Sequence, residues 1–230
     1  MKKIYTSVAC EKQANGFAVL LDATIARTPL GNPLMLPNEA LAEAVAAEWR
    51  AQLPMPDKTA LRLTPIACIA IDLAPTRRAA LSEELIGYGD TDLVCYRAGN
   101  IPELEAEQEA LLAPVVAWAK DTYGLQLQIT SGLMPVKQPK QNAAIYADML
   151  ARLDNWHLAV LAVAAKALGS LLLACLLLEG AIDAEEAFAL SHLEEAYETR
   201  KWGPDDEKEA KMKLSRREIE AAAAFIRLLK

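Results

Sequence analysis

Apolar residues come in short runs through the first third of the chain and recur every three or four positions through the rest. In the first third, Phe17 to Asp22 and Thr24 to Arg27 are short, partly β-branched segments separated by turn-prone residues, and Asn15-Gly16 is a hairpin signal. Gly31-Asn32-Pro33 predicts a turn, and Leu34-Met35-Leu36 a short apolar strand after it. A helix is expected from Glu39, with Asn38 able to cap its free amides. Leu41, Val45 and Trp49 fall at i, i+4 and i+8 on one stripe of it, and Pro54 and Pro56 should end it.

From Thr64 onward Ala and Leu dominate and the period is helical. Helices are predicted over 65–73, 76–89, 102–123, 141–153, 155–179, 183–202 and 206–229. Residues 124–139 interrupt them, and the alternation of Leu125, Leu127 and Ile129 suggests a strand that could return to the first sheet. Leu158 to Leu178 has the length of a membrane span. Lys166 lies near its middle, where a charge costs ~2.5–3.5 kcal/mol on insertion, so a buried helix or helical hairpin is expected instead. Asp183 with Glu186 three positions on predicts a capping box. On the helix that follows, Leu190, Leu193 and Tyr197 share a stripe that should face the core. Glu195 and Trp202 share another, with Glu194 beside them and Glu198 one turn on. Trp202-Gly203-Pro204 is a stop signal.

With 230 residues, 53% of them apolar, the chain can bury a real core as one large domain or two small ones. Between Asp183 and Glu209 ten acidic residues stand against three basic ones, which accounts for the whole net charge of −7. That balance argues against nucleic acid, whose phosphates need a basic surface, and leaves either a solvated helix face or an acidic patch that steers a basic partner. Cys10, Cys68, Cys95 and Cys175 are scattered, with no C-x-x-C, and are expected to be reduced core thiols. Met1 to Ser7 has neither the apolar core of a signal peptide nor the pattern of a transit peptide, which predicts a cytoplasmic protein.

Candidate chemistry is sparse. His157 and His192 are the two histidines, and neither has a His partner at i+4. No glycine-rich phosphate loop and no nucleophile elbow occurs. Asp90 and Asp92 near Cys95 and Tyr96 lack further ligands and suggest a helix terminus with Cys95 and Tyr96 packed inward. Adjacent Glu194 and Glu195 diverge by ~100° on a helix and cannot share a proton. No catalytic residue, cofactor or metal ligand is therefore expected.

The stretch from Leu190 to Gly203, Leu-Ser-His-Leu-Glu-Glu-Ala-Tyr-Glu-Thr-Arg-Lys-Trp-Gly, resembles the C-terminal signature of the ATP12 family, L-S-R-L-[DE]-E-x-[WFY]-Q running to a W-G pair. Leu21-Asp22 through Thr28-Pro29, Asn32-Pro33-Leu34 to Pro37, and Glu39 to Glu48-Trp49 resemble its N-terminal blocks. Leu63-Thr64 to Asp72, Asp90-Thr91-Asp92 to Cys95-Tyr96-Arg97, and Gly169-Ser170 to Leu178-Glu179-Gly180 resemble its middle ones, in the same order. Departures are Ala23-Thr24 where Gly-Arg is common, His192 for arginine, and Glu198 for glutamine.

The resemblance implies an α+β fold: a small antiparallel β-rich N-terminal domain with one helix, 1–62, then a larger, mainly α-helical C-terminal domain, 63–230, with 124–134 able to rejoin the first sheet. It also implies a non-enzymatic, monomeric assembly chaperone that holds the free α subunit of the F1 sector of ATP synthase until it pairs with β. Glu194, Glu195 and Trp202 are the candidate contact residues, followed by Trp49, whose stripe also suits a core role. Two other classes stay open: an adaptor or scaffold with an unrelated client, and an enzyme built from dispersed acids and tyrosines. A cleft of convergent titratable groups would favour the enzyme.

Overall fold

In the computed structural model, which describes residues 5–52, 60–132, 134 and 136–230, an antiparallel hairpin comes first. Strands β1 (Val8–Gln13) and β2 (Gly16–Leu21) pair from Val8↔Leu21 to Gln13↔Gly16. The turn is thus Ala14-Asn15, one residue earlier than the Asn15-Gly16 signal suggests. Gly16 opens β2 at φ +135, where a Cβ would come within 2.5 Å of the Leu36 carbonyl oxygen. Strands β3 (Thr24–Ile25) and β4 (Met35–Leu36) both pair antiparallel with β2, which makes β2 the centre of a four-stranded sheet. Between β2 and β3 the chain reverses on Asp22 and Ala23 alone, both left-handed at φ 48 and 66. This mirror-image turn matches the twist of the strands it joins.

Helix α1 (Glu39–Ala51) starts as expected, the Asn38 side chain accepting from the Leu41 amide at 2.9 Å. Its buried face is Leu41, Ala42, Val45 and Ala46. Pro54 and Pro56, expected to end it, lie outside the described residues. Helix α2 (Leu63–Cys68) runs directly into a π-helical turn, Ile69–Leu73.

The remaining elements are α3 (Arg78–Asp90), β5 (Tyr96–Arg97), α4 (Pro102–Tyr123), β6 (Thr130–Ser131), α5 (Lys140–Ala151), α6 (Asn155–Leu168), α7 (Leu171–Glu179), α8 (Ala184–Ser191), α9 (Leu193–Trp202) and α10 (Asp206–Leu229). Two predicted helices are each split in two. The apolar 155–179 stretch breaks at Gly169, left-handed at φ 63, after which Ser170 caps α7 by accepting from the Leu173 amide. The 183–202 stretch opens with the expected Asp183–Glu186 capping box but breaks at His192, whose ring stacks on Phe188 at 4.2 Å. Among the described residues no helix is long and apolar enough to cross a membrane.

The chain divides into two units, Met1–Arg78 with Asp154–Val160 and Ala221–Lys230, and Ala79–Leu153 with Leu161–Glu220. The first division falls at residue 78, whereas the expected boundary lay at 62. The reason is local: α2 is tied to α1. The Glu48 carboxylate accepts from the amides of Arg62 at 2.8 Å, Leu63 at 2.6 Å and Thr64 at 3.0 Å, capping the start of α2. The ends of α6 and α10 belong to the same unit through the stacked rings of Trp156 and Phe225 and the Asn38 side chain donating to the Leu228 carbonyl.

In the second unit the 125–129 stretch does not rejoin the first sheet. It leads into β6, which pairs in parallel with β5. Its backbone is satisfied by side chains instead. The Asn142 amide accepts from Gln126 N and donates to Gln126 O, and the Gln138 amide does the same for Gln128. Alternation here marks an extended segment whose partners are two side-chain amides.

Candidate functional site

Helix α9 is short and carries Glu194, Glu195 and Glu198 together with Arg200 and Lys201. Its buried residues are Leu193 and Tyr197, and its cations lie on the flanks of that buried stripe. The Arg200 guanidinium meets Glu107 of α4 at 2.6 Å. Lys201 donates to the Tyr197 hydroxyl at 2.9 Å and reaches Glu103 of α4 at 3.4 Å, while the Tyr197 hydroxyl donates to Glu103 at 3.0 Å. The Tyr197 hydroxyl, and then Lys201, hold the Glu103 carboxyl below its ordinary value.

With both cations spent on α4, the opposite arc of α9 is left acidic. Glu194 and Trp202 are exposed, Glu195 and Glu198 half-buried, and the Trp202 indole is 67% exposed. One cation returns to this arc. Lys208, at the start of α10, hydrogen-bonds Glu198, and its pKa is raised by that bond and, to a lesser degree, by Asp205 and Glu195. Glu194, Trp202 and the half-buried Glu195 thus lie along the same side of α9.

Trp49 sits in the first unit and is half-buried. Its indole N–H donates to Thr64 Oγ1 at 3.2 Å, its carbonyl accepts from the Tyr5 hydroxyl at 2.9 Å, and the two rings lie 5.9 Å apart. Thr64 in turn donates to Glu48 at 2.8 Å. Both halves of the Glu48-Trp49 pair therefore fasten α1 to α2.

Four of the strongly perturbed titratable groups, Asp92, Cys95, Tyr146 and Cys175, are sealed inside. Asp92 is wholly buried. Burial pushes its carboxyl up to about 6, opposed by hydrogen bonds from the Ser170 hydroxyl and the amides of Leu172, Val94 and Leu171. It closes the N-terminus of α7, accepting from Leu172 N at 3.0 Å, and caps a short helical turn by accepting from Val94 N at 3.1 Å. Burial raises the Cys95 thiol to about 12 and the Cys175 thiol and Tyr146 phenol further still. Cys95 is packed inward as expected, and Tyr96 is half-buried. Asp92, Cys95, Tyr146 and Cys175 are thus closed to a substrate, whereas the Tyr123 phenol, raised by burial and by its bond to Glu179, is half-buried. Among the described residues no cluster of three or more His, Cys, Asp or Glu could hold a metal ion.

The sequence profile of the ATP12 chaperone protein family matches residues 2–120, just over half of the chain. The chain belongs to the ATP12 chaperone family. The mitochondrial atp12 protein of Schizosaccharomyces pombe is 27% identical over 218 residues, covering 88% of this chain and 74% of the yeast protein. The crystal structure of Atp12 from Paracoccus denitrificans has 35% identity and a TM-score of 0.90, with 100% of this chain and 98% of that one covered. An aspartate-to-lysine mutant of the same protein superimposes equally well. A structure from Agrobacterium tumefaciens is 32% identical with a TM-score of 0.91, covering 99% of this chain and 85% of that one. The ATP12 fold, a small antiparallel sheet region followed by a mostly helical one, is therefore the fold of this chain.

Sequence reasoning missed Asp72, which is 4% exposed and is held by Thr28, Leu30 and Asn32. A signal was present. Asp72 is the one charged residue in the otherwise apolar run from Ile66 to Ala74, where an unpaired carboxylate would be costly.

Proposed function

We propose that this ATP12-family chaperone serves assembly of the F1 sector of ATP synthase by binding the free α subunit and covering its interface until β replaces it. The observation that carries the reading is the outer arc of α9, where an indole 67% exposed stands among carboxylates whose neighbouring cations are tied to α4. An isolated ring subunit exposes apolar interface that aggregates, and a chaperone need only cover it reversibly. A large aromatic anchor with a charged surround suits such a contact, the ring supplying affinity and the carboxylates steering and selecting a basic partner. Glu194, Glu195 and Trp202 make the contact, and Trp49 supports α1 from within. A non-catalytic role is supported by the enclosure of Asp92, Cys95, Tyr146 and Cys175, four of the strongly perturbed groups.

The test is titration calorimetry of the full chain with isolated α subunit, followed by addition of β. Wild type should bind α, leave β unbound, and release α when β is added. Glu195→Lys should weaken the α complex at least tenfold while its melting temperature stays within about 1 °C of wild type, as expected for a surface substitution. Wild-type affinity in Glu195→Lys would remove α9 from the contact. Failure of the wild type to bind α would refute the reading as a whole.

A further inference from the structure

The loop between β3 and β4 is fastened more heavily than any turn needs. Asp72, brought beneath it by the π-helical turn, accepts from Thr28 Oγ1 at 2.6 Å, from Leu30 N at 3.2 Å and from Asn32 Nδ2 at 2.8 Å. Thr28 Oγ1 accepts in turn from Asn32 N at 3.1 Å. The backbone closes on itself through Thr28 N to Asn32 O and Gly31 N to Thr28 O, and Arg27 Nη1 donates to Gly31 O at 2.7 Å. Pro29 and Pro33 restrict the same few residues further. Burial alone would raise the Asp72 carboxyl. The bonds from Thr28, Asn32 and Leu30 instead hold it below its ordinary value, so the loop is pinned by a carboxylate that stays charged at neutral pH.

This bracing presents Leu30, at 65% exposure the only exposed large hydrophobic residue among the described residues of the first unit. Beside it the Arg27 side chain is exposed and has no carboxylate partner among the described residues, while Asp72, the acid beneath the loop, is buried. The tip is therefore apolar and cationic. An anchor held still in advance loses little freedom on docking, which is how a single side chain acquires a large share of a contact.

We propose that the Thr28–Asn32 loop is a second docking point, at which Leu30 enters an apolar recess of the client subunit that carries a carboxylate on its rim to meet Arg27. The inference rests on the reading of the F1 α subunit as client, but uses a face of opposite charge from α9 and in the other unit.

The experiment is calorimetry of the full chain against isolated α subunit at two salt concentrations, with Leu30→Asp and Arg27→Glu, and sedimentation of each protein alone. The expected result is at least tenfold weaker binding for Leu30→Asp with its melting temperature unchanged. Arg27→Glu should bind several-fold more weakly, with most of that loss disappearing in high salt. If wild type binds α and Leu30→Asp binds equally well, the inference falls while the client assignment stands. If wild type does not bind α, the client assignment falls and the inference with it. A wild-type dimer dissociated by Leu30→Asp would show that a second copy occupies the loop, and would also overturn the proposal.

Discussion

Replacing Glu48 by alanine should weaken the first unit out of proportion to the small volume removed. The carboxylate receives four hydrogen bonds at the start of α2, from the amides of Arg62, Leu63 and Thr64 and from the Thr64 hydroxyl. Arg62 is exposed, so water can serve its amide once the carboxylate is gone. Leu63 and Thr64 are 8% and 5% exposed, and their amides would be left unpaired. A buried donor without a partner costs about 1–3 kcal/mol, and a bond to a charged group contributes about 1.5–3 kcal/mol, with the two counts overlapping. A loss of about 3 kcal/mol follows, which for a chain of this length corresponds to a fall of about 6–12 °C in melting temperature. Glu48→Gln keeps one oxygen for the amides but turns an NH2 toward the others, so it should fall between wild type and alanine.

The assay is urea and thermal unfolding followed by far-UV dichroism, with tryptophan fluorescence as a second probe. Thr64 links Glu48 to the Trp49 indole, so native-state fluorescence should change in Glu48→Ala as well. A double-mutant cycle of Glu48→Ala with Trp49→Phe should show coupling, because both act through Thr64. Melting within about 1 °C of wild type, with unchanged fluorescence, would refute the claim that this carboxylate holds α2 to α1.

Two further predictions concern single positions. Ala23 takes φ 66 in the Asp22-Ala23 turn, a conformation glycine adopts freely, so Ala23→Gly should stabilise the protein by up to about 1 kcal/mol, read from the urea midpoint at unchanged slope. Asp92 holds its proton to about pH 6, above the ordinary carboxyl value of 3.8, so its contribution to stability is greatest below about 4, falls as pH rises to about 6, and is level beyond. The stability difference between wild type and Asp92→Asn should therefore shift against wild type by about 3 kcal/mol across that window, and a pH-independent difference in urea titrations at pH 4.5 and 7 would rule this out.

What could be read from the sequence is mainly what local chemistry dictates. The Asn38 cap, the Asp183–Glu186 box and the exposed arc of α9 follow from residue type and helical spacing alone. The break at Gly169-Ser170, glycine taking the left-handed residue and serine the cap, is the helical-hairpin alternative that the apolar run with its central Lys166 leaves open. The break at His192 has no such punctuation, and the stacking of its ring on Phe188 is a contact that periodicity does not report. The parallel β5–β6 pair was unreadable, since two-residue strands have no period to detect. Asp72 beneath the Thr28–Asn32 loop and Glu48 beneath α2 make tertiary bonds between segments about forty and fifteen residues apart, and although a lone charge in an apolar run marks Asp72, periodicity names the partners of neither.

The side-chain amides that bracket Gln126 and Gln128 have one more effect. Each pairs with both backbone groups of a single residue, and the two residues are two apart, so a slip of the chain by one position would turn those groups to the opposite side. Alignment along this stretch is consequently written into where Asn142 and Gln138 stand in the polypeptide. On that side the segment has no vacant ladder positions to offer a foreign extended chain, which suits a molecule that works beside unassembled neighbours.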